Sequence, residues 1–335
     1  MFAEVPGADD GEFSAHGFNT TRVEHEDKIV VPKESAEAVW RFLLSYLVED
    51  THALRSLDPQ FTSHYNVEEF TDTYFDTPAL QMLSRRSGVR HRRRTNLTNS
   101  EDRKSGRELM QIKLNDVSGN ELERAEVKFE IRYPSEFKSK EDGHPMIGMV
   151  KPSQRDDFKG RLTAIGIDPY SMRPILTLRD IRKRIYILRA GKPFMSVSHD
   201  SARSELMWGR AEFVEIEPEL NEIGYTEAGP EARREMTRIS EQIRAAMHAQ
   251  FPELKRDLTP KYNKAFGSLE AQIPFLRLLV RTNMATTGAV SATLAFGLAG
   301  LATAVVLVFR RFRRTRPPVE KRFATAQHAS SAIGA

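Results

Sequence analysis

The stretch Thr21-Arg22-Val23-Glu24-His25-Glu26-Asp27-Lys28-Ile29-Val30 decides how the chain is read. Residues 22–31 alternate as a strand does, and successive strand side chains point to opposite faces. Glu24, Glu26 and Lys28 therefore share one face, while Val23, Ile29 and Val31 supply an apolar one interrupted by His25 and Asp27. Period-two charge recurs further along the chain. Arg90, Arg92 and Arg94 share a face, and Lys113 sits in the apolar-flanked run Leu109–Leu114. Glu126, Lys128 and Glu130 alternate with Val127, Phe129 and Ile131. Arg182 and Arg184 follow the same rule beside Ile181 and Ile185, and Glu215 and Glu217 flank Ile216. One such strand is explained by a solvated sheet face. Same-sign neighbours on a sheet repel each other. Repeated in six strands, the pattern points instead to a shared interior lined by both signs. Guanidinium and ammonium groups there suit phosphate oxygens, and the carboxylates suit a hard divalent cation, Mg²⁺ or Mn²⁺.

Around these strands the chain reads as mainly antiparallel β with helices outside, a barrel or sandwich of the α+β class. Lys33–Glu49 places Ala36, Val39, Trp40, Leu43, Leu44 and Leu47 at helical spacing. Strand-like runs follow near 69–76, 88–95, 107–115, 122–133, 174–189, 193–200 and 211–218. Residues 134–160 are polar and rich in turn formers, which predicts a loop or insertion. Pro230–Phe251 is expected to be a helix with Met236, Ile239, Ile243 and Met247 on one face.

The chain of 335 residues has no cysteine, which excludes a disulfide scaffold, a thiolate metal site and a cysteine nucleophile. Its net charge of +4 is unevenly spread. The seven basic residues and single acid of 310–335 carry +6, which leaves −2 for the rest. A slightly acidic body argues against nucleic acid as the partner, despite the run Arg90-His91-Arg92-Arg93-Arg94. The uncharged stretch 282–309 is long enough to cross a bilayer as a helix. It predicts a single-pass membrane protein with a cytoplasmic body, and Ser291, Ala295 and Ala299 form a small-residue stripe on which such a span could oligomerise. The expected organisation is a leader (1–20), a main domain (21–268), a juxtamembrane linker (269–283), a transmembrane helix (284–309) and a basic tail (310–335).

Taken in order, the charged strands resemble the triphosphate tunnel metalloenzyme superfamily, which includes the CYTH and VTC domains. Glu24-His25-Glu26-Asp27-Lys28 matches the ExExK opening, and Tyr74-Phe75-Asp76-Thr77-Pro78 matches the YFDTP box. Arg41-Phe42 to Asp50, His64–Val67, Pro174–Tyr186, Ser196–Asp200 and Thr259–Tyr262 look more like VTC domains, whereas Glu215-Ile216-Glu217 leans towards CYTH. The resemblance spans roughly residues 22–266.

It implies an eight-stranded antiparallel tunnel that threads a triphosphate or polyphosphate chain. By motif position Lys28, Arg90, Arg92, Lys113, Lys128, Arg182, Arg184 and Lys261 would grip phosphates, with Lys28, Arg90, Arg92 and Arg182 at the reacting group. Glu24, Glu26, Glu215 and Glu217 would hold Mn²⁺ or Mg²⁺. Arg94 and Lys183 are weaker candidates, and parity puts Lys183 outside. The expected activity is a VTC-like polymerisation of inorganic polyphosphate from ATP. The alternatives are CYTH-like hydrolysis of tripolyphosphate or an organic triphosphate, and a non-catalytic polyphosphate sensor. Two departures stand out: Gln111 occupies a position usually acidic in VTC domains, and His25 and Asp27 occupy positions usually apolar. The latter pair is expected on an exposed outer face. Asp76 is expected to brace a tunnel arginine, and His199 beside Asp200 to be structural.

Overall fold

The first strand breaks in two, and that break organises the fold. β1 (Thr21–His25) pairs antiparallel with β6 (Glu123–Glu130), whereas β2 (Ile29–Val31) pairs with β9 (Gly209–Leu220). Between them the Glu26 N–H donates to the Leu122 carbonyl at 3.0 Å, and the Asp27 N–H donates to the Pro218 carbonyl at 3.0 Å. One continuous segment therefore touches both ends of the sheet. This is a computed structural model that describes residues 18–98, 106–115 and 121–282, all within one unit.

The remaining strands are β3 (Phe61–Asp76), β4 (Gly88–Asn96), β5 (Arg107–Asn115), β7 (Arg173–Arg189), β8 (Lys192–Leu206) and the two-residue β10 (Lys255–Arg256). Their order is β1-β6-β5-β4-β3-β7-β8-β9-β2-β10, antiparallel throughout. The sheet has ten strands rather than eight. The excess comes from the split first strand and from β10, which adds only Lys255 and Arg256 beside β2.

The apolar cores lie outside the sheet, between its outer face and the helices. α1 (Ala36–Leu44), a wider π-helical turn (Ser45–Glu49), α2 (Thr51–Leu57) and α6 (Pro230–Gln250) cover β2, β7, β8 and β9. They bury Val39, Trp40, Leu43, Leu47, Ile239, Ile243 and Met247 there. α4 (Arg155–Ala164) covers β4, β5 and β6 through Phe158 and Leu162. α7 (Lys261–Gln272) and α8 (Leu276–Arg281) cover Leu176, Leu178, Ala202 and Ala211 with Tyr262, Ala265, Phe266, Leu269 and Leu276. Two short helices complete the set: α3 (Gln81–Ser84) follows β3, and α5 (Glu222–Glu227) follows β9.

Three expectations change. The polar stretch 134–160 contains the start of α4, whose inward side is carried by few apolar side chains. The run expected near 69–76 begins at Phe61, because β3 is long enough to span both β4 and β7. The expectation of a single-pass membrane protein is corrected: among the described residues no helix is long and apolar enough to cross a membrane. α8, the last described helix, has six residues and so spans about 9 Å, against roughly 30 Å of hydrocarbon. The stretch 284–309 and the basic tail lie outside the described residues, as does most of the leader.

Candidate phosphate and metal site

Strand parity builds the site. With the apolar side chains drawn outward to the helices, the opposite parity turns inward and carries the charge. A cavity of about 1050 Å³, including its solvent-open part, fills the barrel. Lys28, Arg90, Arg92, Lys113, Lys128, Arg182, Arg184 and Lys261 all line it, so the eight expected phosphate grips converge. They come from the break between β1 and β2 (Lys28), from the four strands β4, β5, β6 and β7, and from the first turn of α7.

Most of these cations are held by carboxylates. Arg90 and Arg92 donate to Asp72 at 2.9 and 2.8 Å. Arg182 donates to Asp200 at 2.7 Å and to Glu217 at 2.7 Å. Lys28 donates to Glu26 at 2.6 Å and also to Glu217. Lys113 donates to Glu24 at 2.5 Å, and Lys128 to Glu222 at 2.8 Å. Lys261 reaches Asp180 at 2.9 Å, Glu217 at 3.2 Å and Asp200. Arg184 Nε donates to Ser198 at 3.1 Å.

The carboxylates divide by their surroundings. Burial would raise Asp72, but Arg90 and Arg92 outweigh it and hold Asp72 at about 2. Burial is likewise outweighed at Glu217 by Lys261, Lys28 and Arg182, and at Glu126 by Lys113 and Lys128. Other acids are pushed up. Burial and the neighbouring Glu217 raise Glu26. Burial and Glu24 raise Glu219 to about 7. Burial and Glu126 raise Glu222 above the usual carboxylate range.

Two groups of acids have oxygens within 4.8 Å of one another: Glu24, Glu126 and Glu222, and Asp200, Glu215 and Glu217. The four expected metal ligands are therefore not gathered together. Glu215 is absent from the cavity wall: it accepts from Lys264 of α7 at 2.6 Å, and burial with Glu217 raises it to about 7. The fit to a hard cation is better elsewhere. Among the described residues Glu24 Oε2 and Glu26 Oε2 are buried without a hydrogen-bond donor, while the Glu126 oxygens face the Lys113 and Lys128 ammonium groups at 3.4 and 3.0 Å. Buried orphan oxygens are costly, and hard oxygen donors are what Mg²⁺ and Mn²⁺ take. The residues present thus fit a divalent cation.

The neighbours of the site sort out the remaining expectations. Asp76 does not reach a tunnel arginine. It accepts from the backbone N–H groups of Thr77, Met82 and Leu83, and from the Tyr262 hydroxyl at 3.1 Å. With Tyr74 stacked on Tyr262 at 4.9 Å, the YFDTP box fastens α7 to the barrel. His25 and Asp27 are buried rather than exposed. His25 packs on Tyr225 of α5 at 4.8 Å, and Asp27 pairs with Arg256 at 2.7 Å, because α5, α6 and β10 cover that face. Gln111 accepts from Arg90 Nε at 2.5 Å, so the amide still orients a grip. Lys183 lies outside beside Glu37, and His199 bonds the Ala36 carbonyl, a structural place. Arg94 is buried against Glu68 and is not on the cavity wall.

Arg86, Arg124, Glu126, Glu219 and Glu222 also line the cavity and were not among the expected grips or ligands. For Arg124 and Glu126 the parity of Lys128 was the available signal. Glu219 extends the row of Glu215 and Glu217. Nothing in the order of residues marks Glu222 at the start of α5.

The CYTH domain profile matches residues 35–251, well over half of the chain. Among solved structures, a candidate adenylate cyclase from Bacillus halodurans aligns at 17% identity, covering 68% of this chain and 90% of that one, with a TM-score of 0.38. A candidate adenylyl cyclase from Hippeastrum with dominant triphosphatase activity aligns at 17% identity over 76% of this chain and 98% of that one, with a TM-score of 0.41. The S. pombe RNA triphosphatase aligns at 10% identity over 70% and 87%, with a TM-score of 0.34. No curated protein sequence matches significantly.

Proposed function

The chain belongs to the CYTH domain family, and on that premise we propose that it is a metal-dependent triphosphatase acting on a linear triphosphate. One observation carries the reading: eight cations from six separate segments line one cavity beside buried carboxylate oxygens that lack a donor among the described residues. The family match is to the CYTH profile, so hydrolysis takes precedence over the VTC-like polymerisation expected first.

Phosphoryl transfer needs positioning and charge neutralisation more than covalent chemistry from the protein. Arg90, Arg92 and Arg182 offer planar forks to phosphoryl oxygens, and Lys28, Lys113, Lys128 and Lys261 offer point charges. A triphosphate would replace carboxylates as the partner of these groups, so the cavity exchanges internal ion pairs for ligand ones. Glu24, Glu26 and Glu126 would hold Mg²⁺ or Mn²⁺, which supplies polarisation of a phosphoryl oxygen when bound. Glu219, held near neutrality, is suited to accept a proton from the attacking water.

The test is incubation of the full-length protein with tripolyphosphate, and separately with ATP, under Mg²⁺ or Mn²⁺. Orthophosphate release from tripolyphosphate is expected. Growth of long-chain polyphosphate from ATP would overturn hydrolysis in favour of synthesis, and tight binding without turnover would overturn catalysis.

A further inference from the structure

Two lining cations differ from the grips described above. Arg124 is 7% exposed and points into the cavity from β6. Among the described residues its one side-chain hydrogen bond goes from Nη2 to the Leu258 carbonyl at 3.0 Å, and no carboxylate lies within ion-pair distance. Arg86 is exposed at the cavity mouth, and its Nη2 donates to the same carbonyl at 3.1 Å, also without a carboxylate partner among the described residues. A guanidinium has five N–H donors. Arg86 thus keeps most of its donors facing solvent at the mouth, and Arg124 keeps most of its own inside the cavity, where burying a charge without a partner is costly.

The backbone at Arg86 adds an independent observation. It ends α3 with φ of 53°, in the left-handed region. The Arg86 N–H donates to Leu83 at 3.1 Å and the Ser87 N–H to Met82 at 3.0 Å, the closing bonds of a Schellman turn. That position favours glycine. An arginine there is conformationally disfavoured, yet it reaches the rim of a cationic cavity. Both arginines extend existing rows. Arg124 lies one inward step beyond Glu126 and Lys128 on β6, and Arg86 lies just before Gly88, Arg90 and Arg92 on β4.

We propose that Arg86 and Arg124 form a distal phosphate subsite at the mouth of the cavity, so that the favoured substrate is inorganic polyphosphate longer than three phosphates. The subsite rests on reading the cavity as a triphosphate tunnel. The inner grips hold the reacting end, and the two arginines take phosphates that project past Lys113 towards the mouth. Because no carboxylate among the described residues has to be displaced, this subsite binds anion without breaking an ion pair seen there.

The test compares inorganic tripolyphosphate with a polyphosphate of roughly ten or more phosphates, titrated calorimetrically into the full-length protein with EDTA to hold back hydrolysis. The wild type is expected to prefer the longer chain. In Arg86→Gly and Arg124→Gln that preference falls about tenfold each, and Arg86→Lys retains part of it. Arg86→Gly keeps its fold, because glycine suits the left-handed turn, and its unfolding midpoint stays within about 2 °C. An unchanged ratio in both variants overturns the subsite while leaving the tunnel reading intact. If the wild type binds neither anion, the tunnel reading fails and the subsite with it.

Discussion

Two acidic clusters line the barrel, and they differ in what already fills them. Near α7, Asp200 and Glu217, with Asp180 beside them, surround the Lys261 ammonium, with Arg182 on the same carboxylates. Near β1, Glu24 and Glu26 each keep one buried oxygen without a donor among the described residues, with Lys113 and Lys128 paired to their neighbours Glu24 and Glu126. The first cluster is closed by the protein's own cations and ties a helix to the barrel. The second keeps carboxylate oxygens that no donor reaches among the described residues. Similar residues on similar strands therefore do different work, depending on whether a neighbouring helix delivers a lysine.

The strongest break of this contrast is Lys261→Met, which leaves four buried acids, Asp180, Asp200, Glu215 and Glu217, without their shared cation. Removing one partner of such a network costs about 3–5 kcal/mol. Chemical denaturation should show that loss, and a change under about 1 kcal/mol would mean the cluster is not closed by Lys261.

Lys28 joins the two regions, because it donates to Glu26 on one side and to Glu217 on the other. Lys28→Ala and Arg92→Ala should each weaken tripolyphosphate binding by roughly 10- to 100-fold, the range of a lost charge-assisted contact. If both variants titrate like the wild type, phosphate does not lie where these side chains point.

A third prediction uses acid. The folded pKa of Asp72, about 2, lies below its unfolded value near 3.9. Its contribution of about 2–3 kcal/mol is fully present above that unfolded value and is lost as pH falls through about 2. Asp72→Asn should flatten the acid limb of the stability curve between about pH 4 and pH 2, and an unaltered limb would remove Asp72 from the account.

The smallest effect sharpens the second cluster. Glu24→Gln should weaken Mn²⁺ binding about tenfold while changing stability by less than about 1 kcal/mol. Electron paramagnetic resonance of free Mn²⁺ reads the first and thermal unfolding the second. A large stability loss with unchanged Mn²⁺ affinity would make Glu24 a structural residue like Asp200.

Much of this interior was legible from the period of two, because Arg90 and Arg92 on β4, Glu126 and Lys128 on β6, and Arg182 and Arg184 on β7 are all buried and all line the cavity. The side chains that departed from expectation did so through partners far away in sequence. Glu215 has the right parity, but Lys264 of α7 draws its carboxylate off the cavity wall. Asp76 caps α3 and holds Tyr262, a partner 186 residues away. His25 and Asp27 look misplaced on a strand until α5, α6 and β10 are laid over them. α4 was hidden because Phe158 and Leu162 are its only buried apolar residues.

The split first strand also bears on how the chain folds. Glu26 bridges to Glu219, about 190 residues later, so the N-terminal strand cannot complete its pairing until β9 exists. In a chain made from its N-terminus, that strand waits through most of synthesis with its charged edge unpaired. The alternating Glu24, Glu26 and Lys28 then act as gatekeepers, since charges on an open edge discourage pairing with another molecule. Once β9 arrives, the same segment bridges β6 and β9, and β1 and the two-residue β10 stand at the two ends of the described sheet.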